Sequence, residues 1–292
     1  MIEFKNVCKN YGKTKALKDC SWMGMSHEII GVCGQNGSGK TTLFRLLLGL
    51  LQPDSGEIRI NGEIRSAKHH SLFGYMPEQR SLLSDLKVNE QLHYFGKLKG
   101  MEHSTIQSQI DRLADELEIH HALNNTIGSL SKGNQQKIQL MAALIHDPHY
   151  IILDEPLTGL DYANVKLFQD QFTKLSKAGK TILLSSHQYD YMDDFCTSLI
   201  VLKKGEMVLS GNLDQLKDLS GKCCVTVNSD SCWMDHVKEA DIVEECGNKI
   251  KITVENRTQA KRLLNMLSKD SGIKELEMNR IGIKELIRGT NG

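Results

Sequence analysis

Apolar residues change their period several times along the chain, and each change marks an element. Ile2-Glu3-Phe4-Lys5-Asn6-Val7 alternates apolar and polar positions, as a half-buried strand does, and Ile29-Ile30-Gly31-Val32-Cys33 is a continuous apolar run expected of a buried one. From Thr41 to Leu51 the spacing predicts a helix, ended by Pro53 and Gly56. Strand character resumes over Glu57-Ile58-Arg59-Ile60 before an Asn61-Gly62 turn. Residues from about Leu82 to His146 are helical in pattern: Ser104 with Gln107 reads as a capping box, and Ile106, Ile110, Leu113 and Leu117 follow at helical spacing. Tyr150-Ile151-Ile152-Leu153, a helix to about Lys177 and Thr181-Ile182-Leu183-Leu184 form a β-α-β alternation, which implies a parallel sheet.

After Leu219 the texture changes. Ser220-Gly221-Lys222 reads as a linker, Cys224-Val225-Thr226-Val227 and Ile250-Lys251-Ile252-Thr253-Val254 alternate like strands, and Ala260 to Leu267 has helical spacing. The expected architecture is therefore an α/β domain over residues 1–219, with a helical subdomain inserted at about 82–146. A small α+β domain over 222–292, free of catalytic motifs, completes it.

At 292 residues and 40% hydrophobic content, the chain can bury a sizeable core. Lys+Arg and Asp+Glu balance at 36 each, so no overall basic field would hold the protein on nucleic acid or an anionic bilayer. The apolar stretch Leu43 to Leu51 is too short to span a bilayer and contains Arg45. Met1-Ile2-Glu3-Phe4 has neither the basic nor the hydrophobic region of a signal peptide, so a cytoplasmic location is expected. The eight cysteines include no C-x-x-C pair or zinc-like spacing. Buried reduced thiols are the reading, and adjacent Cys223 and Cys224 would face opposite sides of a strand.

Two motifs then carry chemistry. Gly34-Gln35-Asn36-Gly37-Ser38-Gly39-Lys40-Thr41, followed by Thr42, fits G-x-x-x-x-G-K-[ST] directly after a buried strand and at the opening of a helix. Its glycines let backbone N–H groups turn toward phosphates, Lys40 reaches the β- and γ-phosphates, and Thr41 can hold Mg²⁺, so ATP and Mg²⁺ are the expected ligands. Ile151-Ile152-Leu153-Asp154-Glu155 is an apolar strand ending in two carboxylates, a pair that an apolar strand tip has no structural need for. Asp154 is placed for Mg²⁺, and Glu155 for orienting or deprotonating the attacking water.

Leu130-Ser131-Lys132-Gly133-Asn134-Gln135 taken alone would be a helix cap with Ser131 as the N-cap residue. Standing a short helix before Asp154, it resembles the LSGGQ signature of the ABC ATPase family, and the resemblance covers roughly residues 1 to 218. The resemblance implies a P-loop ATPase fold and several further roles. Tyr11 is implied as the adenine-stacking aromatic, Asp161 in Thr158-Gly159-Leu160-Asp161 as the D-loop residue, and His187 in Ser185-Ser186-His187 as the switch histidine on the γ-phosphate. Ser131 and Gly133 would act on a nucleotide held by the opposite chain of a head-to-tail dimer.

Three departures stand out. Lys132 and Asn134 replace Gly and Gln of the signature, and His27 before Glu28 stands where the family commonly has Gly. In Gly74-Tyr75-Met76-Pro77-Glu78-Gln79-Arg80, either Glu78 or Gln79 occupies the metal-sensing Q-loop position. The wider string looks most like the ATPases of ABC-2 type exporters, which implies a homodimer or paired ATPase subunit, an integral membrane permease as partner, and attachment to the inner face of the membrane through it. A soluble ABC ATPase acting on ribosomes or DNA, or a low-turnover regulatory subunit, are the rival readings. The chain lacks the tandem cassettes, long coiled coils or basic stretches of the first, and carries Lys40, Asp154, Glu155 and His187, which speak against the second.

Overall fold

The computed structural model describes residues 1–79, 81–229, 242–246, 249–268 and 273–289. It divides into two compact units, Met1–Ser210 and Gly211–Gly292. The first begins with β1 (Ile2–Tyr11) and β2 (Thr14–Gly24), an antiparallel hairpin paired from Ile2 opposite Gly24 to Tyr11 opposite Thr14, with register shifts between Phe4 and Asn10. Then come β3 (Ile29–Cys33), α1 (Lys40–Leu48), β4 (Ser55–Ile60), β5 (Glu63–Ile64) and β6 (Phe73–Met76). Asn61 and Gly62, with φ of 52° and 84°, form the tight turn expected between β4 and β5. Four of these strands make an antiparallel sheet in the order β2-β1-β4-β5.

The inserted helices are α2 (Val88–Leu98), α3 (His103–Glu116) and α4 (Lys132–Leu144). The chain returns to the sheet with β7 (Tyr150–Leu153), α5 (Tyr162–Lys177), β8 (Thr181–Ser185), the short α6 (Tyr189–Met192), β9 (Ser198–Lys203) and β10 (Glu206–Asn212). The second sheet runs β10-β9-β3-β8-β7-β6, with parallel pairing from β9 through β6. β3, β7 and β8 are buried along their whole length, because the core covers both faces. Leu43, Phe44, Leu46 and Leu47 of α1 join residues of both sheets in one core, alongside Phe4, Trp22, Ile60, Ile152 and Ile200.

The burial of α1 bears on the site. Its N-cap, Gly39, offers no side-chain cap. Burying each of the four apolar side chains contributes about 1.5–3 kcal/mol, against about 1 kcal/mol for a cap. The helix is therefore stable with its N-terminal N–H groups left uncapped by any side chain.

Two element boundaries differ from the sequence reading. α1 stops at Leu48, short of Leu51, because Gly49 takes the left-handed conformation at φ 72° and its N–H closes on Arg45 and Leu46 carbonyls. α3 starts at His103 with Glu102 as its N-cap, so Ser104 lies inside the first turn and the Ser104–Gln107 capping box does not form. Gln107 instead donates to Asp111 at 2.9 Å. Ile106, Ile110, Leu113 and Leu117 are all buried at the expected spacing.

His27 takes φ 68°, the left-handed conformation that suits the glycine the family commonly has there. Its turn is held by Thr181 Oγ1, which accepts from the His27 N–H at 3.1 Å, and by Ser176, which donates to the His27 carbonyl at 2.8 Å. Among the described residues, no helix is long and apolar enough to cross a membrane. Cys20 and Cys33 are buried free thiols, whereas Cys8 is partly exposed.

The second unit contains α7 (Leu213–Ser220), β11 (Cys223–Ser229), β12 (Ile242–Cys246), β13 (Lys249–Val254), α8 (Arg257–Leu267), β14 (Ile273–Arg280) and α9 (Ile283–Gly289). The segment Ser220-Gly221-Lys222, expected as a linker, is the end of α7 with Gly221 as a left-handed C-cap. α7 therefore belongs to this unit. The described strands form an all-antiparallel sheet in the order β12-β13-β11-β14. Val225, Val227, Ile252 and Val254 pack with Ala260 and Leu267 of α8, while Cys224 is buried and Cys223 half-buried as neighbours in β11. Cys232 lies outside the described residues, as do the other residues of 230–241.

Candidate active site

Tyr11 closes the antiparallel strand β1, whereas the phosphate loop, Glu78, the two carboxylates and His187 lie in or next to the segments that follow parallel strands of the second sheet. β3 leads into the loop Gly34–Gly39, and α1 opens at Lys40. Gly39 takes φ 114°, and a Cβ there would lie 2.6 Å from the Ala16 carbonyl, so only glycine fits. Gly37, at φ 77°, borders open space, which lets a bulky ligand approach the backbone. Lys40 is 8% exposed and donates from Nζ to the Gly34 carbonyl at 2.6 Å and the Gln35 carbonyl at 3.4 Å. Ser38 Oγ is buried with no hydrogen-bond partner, an orphaned group that a phosphate oxygen would satisfy. Cys33, just before Gly34, is held neutral because burial pushes its thiol far up.

Asp154 and Glu155 leave β7 beside this loop. Thr41 Oγ1 donates to Asp154 Oδ2 at 3.3 Å, and Ser185, at the end of β8, donates to Asp154 Oδ1 at 2.5 Å. The same Ser185 Oγ accepts the Glu155 N–H at 2.9 Å. Glu155 takes φ 52°, a left-handed conformation rare for a side chain of its size, and such strain gathers at working sites. Its Oε2 accepts from Thr158 Oγ1 at 3.1 Å and from the His187 N–H at 3.3 Å. His187 Nε2 lies 3.3 Å from Glu155 Oε1, yet Oε1 is buried without a hydrogen-bond partner, so the imidazole is near the carboxylate but not aligned to bond it.

These groups meet in one cleft of about 490 Å³. It is lined by Tyr11, the loop and helix start Asn36 to Thr42, Glu78, Asp154, Glu155 and His187, together with Thr14, Lys15 and Ala16. The last three carry no signal in the sequence, since nothing in a β2 strand start marks it as a wall of a phosphate loop. Gly34 and Gln35 take part through the carbonyls that hold Lys40. Of the two Q-loop candidates, Glu78 lines the cleft and Gln79 does not; the Gln79 carbonyl accepts from Gln139 on α4. Arg80 lies outside the described residues.

Besides Gln79, three further expected site residues are not among those lining this cleft. Ser131 is the N-cap of α4, accepting the Asn134 N–H at 3.3 Å, and Asp161 is the N-cap of α5, accepting the Asn164 N–H at 2.9 Å. Gly133 sits against the Asn164 side chain. Signature and D-loop are thus packed on each other, outside the cleft of their own chain. Ser185 and Thr158, which hold the two carboxylates, stand in the sequence only as parts of longer strings. Hydroxyls of that kind carry no spacing signal.

Residues 17–158 match the family model described as ABC transporter. The uncharacterized ABC transporter ATP-binding protein YhaQ of Bacillus subtilis is 33% identical over 98% of this chain and 97% of its own length. The Nod factor export ATP-binding protein I of Sinorhizobium fredii is 35% identical over 77% of this chain and 66% of its own length. A solved structure of the ATP binding subunit of an ABC transporter superposes with a TM-score of 0.69 at 26% identity, covering 75% of this chain and 92% of the other. The chain belongs to the ATP-binding subunits of ABC transporters, and is an ATPase of that family.

Proposed function

We propose that the chain is the ATP-hydrolysing motor of an exporter, working as one of a head-to-tail pair of ATPase subunits on a separate membrane permease at the inner face of the membrane. The observation that carries the reading is a division of residues. Lys40, Thr41, Asp154, Glu155 and His187 share one cleft, whereas Ser131, Gly133 and Asp161 lie outside it and need a second chain to reach a nucleotide. The likeness to a Nod factor export ATP-binding protein supports export.

Within the cleft, Tyr11 stacks the adenine, and the Gly34–Thr42 backbone with Ser38 Oγ and Lys40 Nζ holds the phosphates. Thr41 and Asp154, which bond each other, would hold Mg²⁺, with Glu78 in the same cleft as a third candidate. A cation bound there would supply neutralisation of the phosphate charge. Glu155, held through Oε2 by Thr158 and His187 N–H, keeps its buried Oε1, which makes no hydrogen bond, for the attacking water. His187 contacts the γ-phosphate beside it. The residues lining the cleft all belong to the first unit, and the second is read as an accessory domain.

Mixing tests the pair. Lys40→Ala and Ser131→Arg each inactivate a homodimer, but a mixed dimer has one site with both lesions and one with neither. In a Glu155→Gln background, which slows hydrolysis by about 10²–10⁴-fold, mixed dimers should trap one ATP. Mixed dimers that form and trap none refute the head-to-tail arrangement.

A further inference from the structure

Gln139 lies on α4 between Ile138 and Leu140, and all three are buried, Gln139 being 2% exposed. Its Nε2 donates to the Pro77 carbonyl at 2.6 Å and extends toward the Gln79 carbonyl at 3.4 Å. Its Oε1 is buried with no hydrogen-bond partner. Core packing alone does not call for an amide there: its Oε1 is left without a partner, so what the amide contributes is its donation to the two carbonyls. The two carbonyls it holds belong to the residues on either side of Glu78, whose exposed side chain lines the nucleotide cleft. The helix that supplies Gln139 is the one capped by Ser131.

We propose that Gln139 is a positioning residue for Glu78: by pinning the backbone on both sides of that residue to α4, it sets where the Glu78 carboxylate stands in the cleft. Displacement of the signature helix then carries Glu78 with it. Gln136, one turn earlier on α4, makes a similar buried tie, donating to the Pro156 carbonyl at 3.1 Å, but holds no backbone next to Glu78. The proposal rests on the reading that Glu78 faces the cation of the bound nucleotide.

The test uses the full chain and a non-hydrolysable ATP analogue, with affinity measured by calorimetry with and without Mg²⁺. Gln139→Glu keeps the shape but removes both donors, and Gln139→Met, which conserves volume without introducing charge, serves if the first variant does not fold. Either should cut the Mg²⁺-dependent gain in affinity by about three- to tenfold, the worth of one or two hydrogen bonds, while affinity without Mg²⁺ stays within about twofold. In ATPase assays the shift should appear in KM for the Mg²⁺ complex more than in kcat. Gln136→Met should leave the Mg²⁺-dependent gain unchanged, and in a Glu78→Gln background the Gln139 variants should add nothing further. An equal loss in both backgrounds, or an equal loss from Gln136→Met, makes Gln139 merely structural and overturns the proposal. A shift for Glu78→Gln with none for Gln139 overturns the proposal alone. No shift for Glu78→Gln overturns the role of Glu78 and the proposal with it.

Discussion

Ser185 is the point at which the two catalytic-strand carboxylates are held together, and removing its hydroxyl is a sharp perturbation. Ser185→Ala changes volume little at a fully buried position at the end of β8. Two bonds go: the 2.5 Å donation to Asp154 Oδ1 and the 2.9 Å acceptance of the Glu155 N–H. A hydrogen bond to a charged group contributes about 1.5–3 kcal/mol, and a buried N–H left without a partner costs about 1–3 kcal/mol. The two share one atom and are not fully additive, so a loss of about 3–4 kcal/mol is expected. With a urea dependence of about 3 kcal/mol per M, the midpoint of unfolding should fall by roughly 1 M.

Turnover should fall as well, on the order of 10- to 100-fold, because both the strained Glu155 backbone and the Asp154 carboxylate lose their support. The neighbouring Ser186→Ala is the comparison. Ser186 is equally buried but only accepts the Gln188 N–H, in a partly buried bond of 3.0 Å, so about 1 kcal/mol and little activity should be lost. If the two variants unfold at the same urea concentration, Ser185 does not brace the carboxylates as the geometry requires.

Lys40→Ala should abolish productive ATP binding while the circular dichroism spectrum and cooperative unfolding persist, since the ammonium holds only loop carbonyls; unchanged nucleotide affinity would defeat its assignment. His146 gives a pH dependence. Burial, with Lys99 nearby, lowers its pKa from 6.5 to about 4, while its Nε2 bonds the Phe73 carbonyl at 3.0 Å. The neutral ring is favoured in the fold, so its contribution is present above pH 6.5 and lost as pH falls toward 4; roughly 1–2 kcal/mol is expected after allowing for its partial exposure. His146→Gln, which keeps a donor, should flatten stability over that window in urea titrations, and an identical slope in both proteins would refute the assignment.

The parts legible in the sequence were those written in local spacing. An apolar run before Gly34, the four residues between Gly34 and Gly39, and the run before Asp154 each encode a strand and the loop after it within a dozen residues, because side-chain period and glycine conformations are local properties. The Asn61-Gly62 turn and the buried stripe of α3 were legible for the same reason. Contacts between elements far apart in the chain depended on tertiary structure. Ser185 reaches residues about thirty positions away, and Gln139 about sixty. In sequence, one is a serine among serines and the other a polar residue on a helix that could equally face solvent. Likewise Glu78 and Gln79 are indistinguishable as neighbours, and only the path of the chain after β6 turns one into the cleft and gives the other's carbonyl to α4. A hydrogen bond is decided within a few tenths of an ångström, and spacing along a sequence does not carry that information across a fold.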